Sequence, residues 1–550
     1  MNLQRVERVT EEIEWDFSAD VVVVGASVAG FAVAVNAAEL DADVVLFEKG
    51  SKIGGTGAKA SALMWVPNNR FMRERGIADP KDDAMRYMAR LARPAAYDPS
   101  QAKLGLGDWE YDALEAFYDN ASEAFETLER IGALAQNPSD MVDYFSHIAE
   151  DKAPTGRGIM PRQTDGESGE GPEYMAQMSA AAEARGVEIH TAHAATGVLV
   201  DTAGAVVGVR VRTAEGDLRA RAAQAVVFAS GGFTHNLQLR REYLGGVFMG
   251  GCDAITNEGD FLEIARSLGA PLYQMDAAYM APVPAERALA RDPDMHSAFA
   301  IPGDSLIMVN KYGRRFANEK STYHELARAH MAWGGMKAEY PNLLSFAIWD
   351  ERATKLFAGE RFGSLVIPPR DGDWSSVVTG TTAEELADGL DLRLAGLTQH
   401  TGGLRLDARF ASTLATTISR YNDFARAGVD EDFQRGETEV EAIFNGEAAA
   451  DNDMPNALMY PLAQNGPYYA TILGAGSLGT KGGPRTTVDG RVIGPQGTPI
   501  PGLFGVGNCV ASPAGEAYLA GGATFGPIVT AGYLAARGAV LEPRRAVAAA

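Results

Sequence analysis

Gly25-Ala-Ser-Val-Ala-Gly30 is a run of small residues between an apolar strand pattern, Asp20–Gly25, and an alanine-rich helical pattern, Phe31–Leu40. Gly25 permits a tight turn, and Gly30 lets helix and strand pack closely. The first N–H groups of such a helix have no partner within it, and with the helix dipole they suit a pyrophosphate. A second strand pattern, Asp43–Phe47, ends at Glu48, about twenty positions past the loop, where a carboxylate accepts hydrogen bonds from ribose hydroxyls. Ser27 stands where the usual G-x-G-x-x-G has its middle glycine; a small hydroxyl still admits a phosphate and can donate to it. A glycine loop alone fits any strand–helix turn. Strand, loop, helix, strand and acid together read as a dinucleotide site.

The segment just past Glu48 distinguishes NAD from FAD. Gly54-Gly-Thr-Gly-Ala-Lys-Ala-Ser-Ala-Leu-Met-Trp65 is a small-residue stretch able to pass closely under a flat ring and the second phosphate. FAD needs such a path, because its dinucleotide continues toward a buried isoalloxazine. Gly474-Ala-Gly-Ser-Leu-Gly479 matches G-x-G-x-x-G better than the first loop, but it runs into Thr480-Lys-Gly-Gly-Pro484, which cannot open a helix. It reads as a decoy, not as an NAD site.

The elements that must hold this site alternate. Pro172–Arg185 reads as a helix with proline in its first turn, and Val187–Thr191 as a strand. A β-rich stretch runs from Gly197 to Arg212, and Ala223–Ala229 is a buried strand closing in Ser230-Gly-Gly232. Asn257-Glu-Gly-Asp260 opens a helix through Leu268. Residues 275 to 465 have longer loops and no phosphate loop. Ile500–Gly507 is again an apolar strand, with Gly521-Gly-Ala-Thr-Phe-Gly526 before a terminal helix. At 550 residues the chain exceeds one ordinary hydrophobic core. The expected fold is α/β: a Rossmann-like FAD-binding domain from both ends of the chain, residues 1–275 and 465–550. An α+β catalytic or capping domain, residues 276–464, is inserted between them.

A formal net charge of −23 argues against nucleic acid or anionic lipid as a partner, since both need basic patches. Cys252 and Cys509 are the only cysteines and show no metal-ligand spacing, so neither a disulfide framework nor a metal site is expected. The start, MNLQRVERVTEEIEW, lacks an apolar core, and the apolar region 500–540 is broken by Gly and Pro. Neither reads as a secretory signal or a membrane segment, and a cytoplasmic enzyme is expected.

Several segments in order resemble the fumarate reductase/3-ketosteroid dehydrogenase flavoprotein family: Val21–Gly30, Glu48-Lys-Gly, Gly54–Asn69, Asn257–Asp260, Val309–Glu319 and Gly502–Gly532. The resemblance implies an FAD domain, an inserted catalytic domain and an active site between them. It also implies cofactor contacts from Gly25, Ser27, Ala29, Gly30, Glu48, Lys49, Gly55, Thr56, Lys59, Ser61, Ala62, Ala195, Ala229, Ser230, Gly231, Asn257, Asp260, Asn508 and Thr524.

Fumarate-reducing members grip a dicarboxylate with histidine and arginine. Leu478-Gly-Thr-Lys-Gly-Gly483 has no histidine, and Gly515–Gly522 has no arginine. Only Arg314, Arg315, Lys481 and Arg485 offer positive charge near these motifs. The 3-ketosteroid Δ1-dehydrogenase branch fits better. There the resemblance implies that the Tyr518 hydroxyl and the Gly522 N–H bind a ketone oxygen, that Tyr323, after Asn318-Glu319, removes the α-proton, and that Tyr144 is a helper tyrosine. The flavin takes the β-hydride, and an external electron acceptor reoxidises it. Two segments depart from the branch: Leu519-Ala-Gly-Gly522 replaces its Pro-Gly-Pro-Gly turn, and Asp143-Tyr-Phe-Ser146 is only a loose form of its Asp-Tyr-Tyr-Pro. A small hydrophobic ketone, steroid or alicyclic, is the implied substrate. Desaturation of a 5α-steroid 4,5-bond or of a cyclohexanone, a fumarate- or enoate-type reductase, and an electron carrier without substrate chemistry stay open. Without the resemblance, Tyr518 and Tyr323 read as packed aromatics, and His324 and His147 as core or surface histidines.

Overall fold

Four parallel strands end at one level in a mixed sheet, and that edge is what the glycine loop requires. In the computed structural model, which describes residues 5–10, 13–359, 366–445 and 448–545, Phe17–Val24 lies parallel to Val44–Phe47, which lies parallel to Glu188–His190. On its other side Phe17–Val24 lies parallel to the end of Asp217–Phe228, which also pairs in parallel with Pro499–Gly505. Val24 is in register with Phe47 and Phe228, and Phe228 with Gly505. The residues after each of them therefore share the carboxyl edge, where α/β sheets bind ligands. The first half of Asp217–Phe228 joins an antiparallel meander with Val206–Arg212 and Ala194–Val200.

Val21 to Val24 are all buried, as a central parallel strand covered on both faces requires. Helix Val28–Glu39 is buried from Val28 to Ala37, because it packs against helices Gly171–Glu183 and Phe525–Val540 as well as the sheet. Its small residues make this possible: a Cβ on Gly532 would lie 2.6 Å from the Ala32 Cβ.

The chain divides into two compact units, the first comprising Met1–Leu239, Thr256–Ala278 and Gly479–Ala550, the second Arg240–Ile255 and Tyr279–Leu478. The second is built on a six-stranded sheet whose long strand, Tyr468–Thr480, pairs with Leu344–Asp350, Val377–Gly380 and Ala278–Pro284. Helices Ala383–Gly396 and Phe410–Ala427 cover it through Leu386, Leu390, Leu394, Leu414 and Ile418. The decoy Gly474–Gly479 lies inside that long strand and opens no helix. Among the described residues no helix is long and apolar enough to cross a membrane.

Candidate active site

At the carboxyl edge of the first unit, Ser27 caps helix Val28–Glu39, its Oγ accepting from the Gly30 N–H at 3.2 Å and donating to the Ala229 carbonyl at 2.8 Å. The serine that replaces the middle glycine thus ties the loop to the neighbouring strand. Gly25 has φ +108°, and a Cβ there would lie 2.5 Å from the Ala229 oxygen; one on Gly30 would lie 1.9 Å from the Gly25 oxygen. Only glycine fits either place.

Glu48 accepts from the N–H groups of Ala26 at 3.0 Å and Gly50 at 2.6 Å. Burial raises its pKa, against the pull of those two N–H groups and of Lys49. Each carboxylate oxygen keeps a lone pair for a sugar hydroxyl. Gly55–Lys59 forms a 3₁₀ turn with Gly55, Thr56 and Lys59 half-buried; Ser61 is exposed, and Ala62 is buried at φ +53°. Thr56 Oγ1 accepts from Asn257 Nδ2 at 3.3 Å. A Cβ on Gly231, the residue after Ser230, would strike the Asn257 side chain at 2.3 Å. Ala195 stands near the start of its strand, two residues after His193, whose N–H bonds the Glu48 carbonyl. Asn508 lies on the turn after Pro499–Gly505, its Nδ2 2.2 Å from where a Cβ on Gly479 would stand.

Lys49 and Asp260 meet each other: the ammonium binds Asp260 at 2.9 Å and Glu258 at 2.8 Å, and donates to the Thr256 carbonyl at 3.1 Å. Burial alone would lower the Lys49 pKa, but the two carboxylates outweigh it and the net shift is upward. These residues hold the Thr256–Asp260 segment, and with it Asn257, against the end of the second strand. Cys509 is packing: burial raises its thiol to about 11, and the sulfur donates to the Phe228 and Val506 carbonyls.

The set fits FAD. Two first-turn N–H groups of helix Val28–Glu39 are left for phosphate once Ser27 has taken that of Gly30. A carboxylate stands at the end of the second strand, and glycines crowd the backbone where a dinucleotide must pass.

Further along the same unit lies a tyrosine-bearing turn. Tyr518 Oη is 3.1 Å from Thr524 Oγ1, and the Tyr144 ring meets the Tyr518 ring edge-on with centroids 5.7 Å apart. Gly522, at φ +83°, sends its carbonyl to the Trp65 and Gly526 N–H groups, each at 3.0 Å. A Cβ there would lie 2.3 Å from the Leu63 oxygen. The Gly522 N–H donates to no group among the described residues. The Leu519 carbonyl between them accepts from Tyr87 Oη at 2.8 Å and the Tyr144 N–H at 3.1 Å. Thus the structure brings Tyr518, Tyr144, Gly522 and Thr524 together.

Behind Tyr144 lies a buried cluster that sequence reading did not find. Arg157, wholly buried, binds Asp79 at 2.7 Å, Asp143 at 2.5 Å and Asp151 at 3.0 Å, and Trp65 Nε1 donates to Asp143 at 2.8 Å. Burial pushes the Asp143 carboxyl up to about 7, against the pull of Arg157. One arginine facing three carboxylates leaves room for a proton among them. No spacing rule joins residues 79, 143, 151 and 157, so only the fold reveals the group.

In the second unit Tyr323 opens helix Tyr323–Arg328 and packs edge-on against Phe299 and Phe444, with centroids 5.1 and 5.9 Å away. The Asn318-Glu319 pair before it is anchored. Glu319 is buried and binds Arg315 at 2.7 Å and Arg435 at 3.3 Å. His324 Nδ1 accepts from the Met280 N–H at 3.1 Å, while His147 is exposed. Three of the four cations near the dicarboxylate motifs are engaged: Arg315 is held by Glu319 and Asp430. Lys481 donates to backbone carbonyls, and Arg485 stacks 3.7 Å over Tyr273. Among the described residues no group of three or more His, Cys, Asp or Glu is placed to hold a metal ion.

A dinucleotide edge with a flavin-length small-residue path, on a mixed α/β fold, defines an FAD-dependent oxidoreductase. The chain belongs to the FAD binding domain family, whose model matches residues 20–525. It is 30% identical to 4-oxocyclohexanecarboxylate 2-dehydrogenase of Sinomonas cyclohexanicum, covering 94% of this chain and 92% of that one. It is also 30% identical to 3-oxosteroid 1-dehydrogenase of Mycobacterium tuberculosis strain H37Rv, covering 94% and 97%. Among solved structures it resembles 3-ketosteroid Δ1-dehydrogenase from Sterolibacterium denitrificans in complex with 1,4-androstadiene-3,17-dione. The TM-score is 0.78 at 24% identity, over 95% of this chain and 99% of that one; this likeness is one of fold.

Proposed function

We propose that the protein introduces a carbon–carbon double bond next to a ketone, with 3-oxosteroid 1-dehydrogenation as the leading reaction. The observation that carries this reading is the Tyr518–Gly522 turn, which presents a phenol hydroxyl and a backbone N–H that donates to no described group. A ketone α-proton is weakly acidic, so stabilising the developing enolate oxygen is the main demand on the protein. Tyr518 Oη and the Gly522 N–H bind that oxygen as neutral donors and leave the base unneutralised. Tyr323 takes the α-proton, and Tyr144 supports the Tyr518 ring. FAD, held by Gly25, Ser27, Gly30 and Glu48 with Lys49, Thr56 and Asn257 around it, supplies the acceptor for the β-hydride. An external electron acceptor closes the turnover, and the compartment proposed is the cytoplasm.

A smaller alicyclic ketone is the second reading, favoured by the equal identity to 4-oxocyclohexanecarboxylate 2-dehydrogenase. Dicarboxylate reduction is disfavoured, because the histidine and terminal arginine of the reductase motifs are absent and three of the four nearby cations, Arg315, Lys481 and Arg485, are already engaged.

The test is anaerobic mixing of FAD-loaded enzyme, separately, with androst-4-ene-3,17-dione, 4-oxocyclohexanecarboxylate and cyclohexanone. Bleaching of the oxidised flavin band by a ketone is expected, and the relative rates rank the two substrate classes. No bleaching by any ketone, with reoxidation of the reduced enzyme by fumarate, overturns the reading.

A further inference from the structure

Lys481 is wholly buried, and its ammonium donates to the carbonyls of Gly515 at 2.9 Å, Glu516 at 3.4 Å and Ala517 at 3.0 Å. These are the three residues that lead into Tyr518. The opposite side of the same segment is also fixed. The N–H groups of Glu516 and Ala517 donate to the Ala92 and Leu91 carbonyls at 3.0 and 3.2 Å, at the C-terminus of helix Lys81–Ala92. Gly515 lies so close to that terminus that a Cβ would stand 1.9 Å from the Ala92 oxygen.

The lysine is itself anchored. Its N–H donates to the Ala277 carbonyl and its carbonyl accepts from the Ser512 N–H, both at 2.9 Å. A Cβ on Gly482 would meet the Met275 backbone at 2.6 Å, and one on Gly483 the Cys509 oxygen at 2.4 Å. The ammonium is thus delivered from a rigid strut. Burying an ammonium is costly, and an apolar side chain of similar length would avoid that cost while taking a donor from three carbonyls. With the Leu519 carbonyl held by Tyr87 and Tyr144, Tyr518 is the one ring carried between two fastened stretches of backbone.

We propose that Lys481 is a positioning residue for Tyr518: by clamping the carbonyls of residues 515–517 it sets where the phenol hydroxyl stands against the ketone oxygen. This rests on the ketone-desaturation reading, and the test separates the two. FAD-loaded wild type, Lys481→Met, Tyr518→Phe and the double variant are mixed anaerobically with saturating ketone, and the flavin reduction rate is followed. Tyr518→Phe slows reduction about a hundredfold, as loss of one oxyanion donor does. Lys481→Met slows it about as much, because misplacement by about an ångström has that effect, with flavin content unchanged. The double variant falls within about threefold of Tyr518→Phe, since a residue acting through another adds nothing once its partner is gone. Lys481→Gln, which keeps two donors for three carbonyls on a shorter side chain, recovers part of the rate and stays measurably slower than wild type.

A wild-type rate in Lys481→Met, or losses that multiply in the double variant, overturns the proposal and leaves the role of Tyr518 standing. A wild-type rate in Tyr518→Phe removes that role, and this inference with it. If Lys481→Met fails to hold flavin, Lys481→Gln is taken through the same cycle: a loss that disappears in the Tyr518→Phe background supports the clamp, and a loss that persists there, or no loss at all, overturns it.

Discussion

Gly522 and Ser27 mark the two ends of what single residues do here. Gly522 sits at φ +83° with the Leu63 oxygen 2.3 Å from its missing Cβ, so its conformation is open to no other residue. Gly522→Ala is expected to cost about 2 kcal/mol or more in stability and to slow flavin reduction by turning the N–H aside. Urea midpoints together with anaerobic reduction rates check this, and an unchanged midpoint with an unchanged rate contradicts it. Ser27 illustrates what the sequence made legible. Its place in the loop announced a phosphate turn, but its bond to the Ala229 carbonyl spans the sheet and has no local signature. Lys481 is the stronger case: nothing in Gly479-Thr480-Lys481-Gly482 announces three carbonyls from residues 515–517.

Helices and strands show the same division between local and distant causes. The alanine-rich pattern placed the first helix from Phe31, yet it begins at Val28 because Ser27 caps it. The strand expected from Ala223 begins earlier, at Asp217, since its polar first half is paired in the meander. Glycines at 474, 476 and 479 hid a long strand, where they make room: a Cβ on Gly476 would lie 2.3 Å from Val283. The chain therefore passes between its two units at Leu478 to Gly479, while the reading from composition placed the change near residue 465. Close packing of the glycine-loop helix gives an element-scale prediction. Gly30→Ala puts a methyl 1.9 Å from the Gly25 oxygen, so the purified variant is expected to be colourless, with its 450 nm to 280 nm absorbance ratio near that of apoprotein. Gly396→Ala, on helix Ala383–Gly396 with nothing within 4 Å of its Cβ, keeps its full flavin content. Equal flavin in both variants contradicts the packing argument.

Across the whole molecule, two buried groups pull stability in opposite directions with pH. Asp143, raised to about 7 by burial, holds its proton more tightly folded than unfolded, where a carboxyl titrates near about 4. Its contribution is full below about pH 4 and is lost as pH rises toward 7. His330, lowered to about 4 by burial, donates through Nδ1 to the Leu326 carbonyl and faces Ser345 through Nε2. Its contribution is full above about pH 6.5 and is lost as pH falls toward 4. Denaturant midpoints between pH 4 and 7 read both effects. Relative to wild type, Asp143→Asn should gain as pH rises, and His330→Gln should hold its midpoint better as pH falls. Curves parallel to wild type exclude these two residues as the source.

The strand Pro499–Gly505 lies against the centre of the first unit's sheet, and helix Phe525–Val540 covers the glycine-loop helix. Both emerge during synthesis long after Phe17–Val24, the first strand of the surface they complete. The ribosome must therefore have passed helix Phe525–Val540 before a nucleotide can find its berth. A stop between Phe228 and Pro499 leaves Asp217–Phe228 translated but without the parallel partner that Pro499–Gly505 supplies.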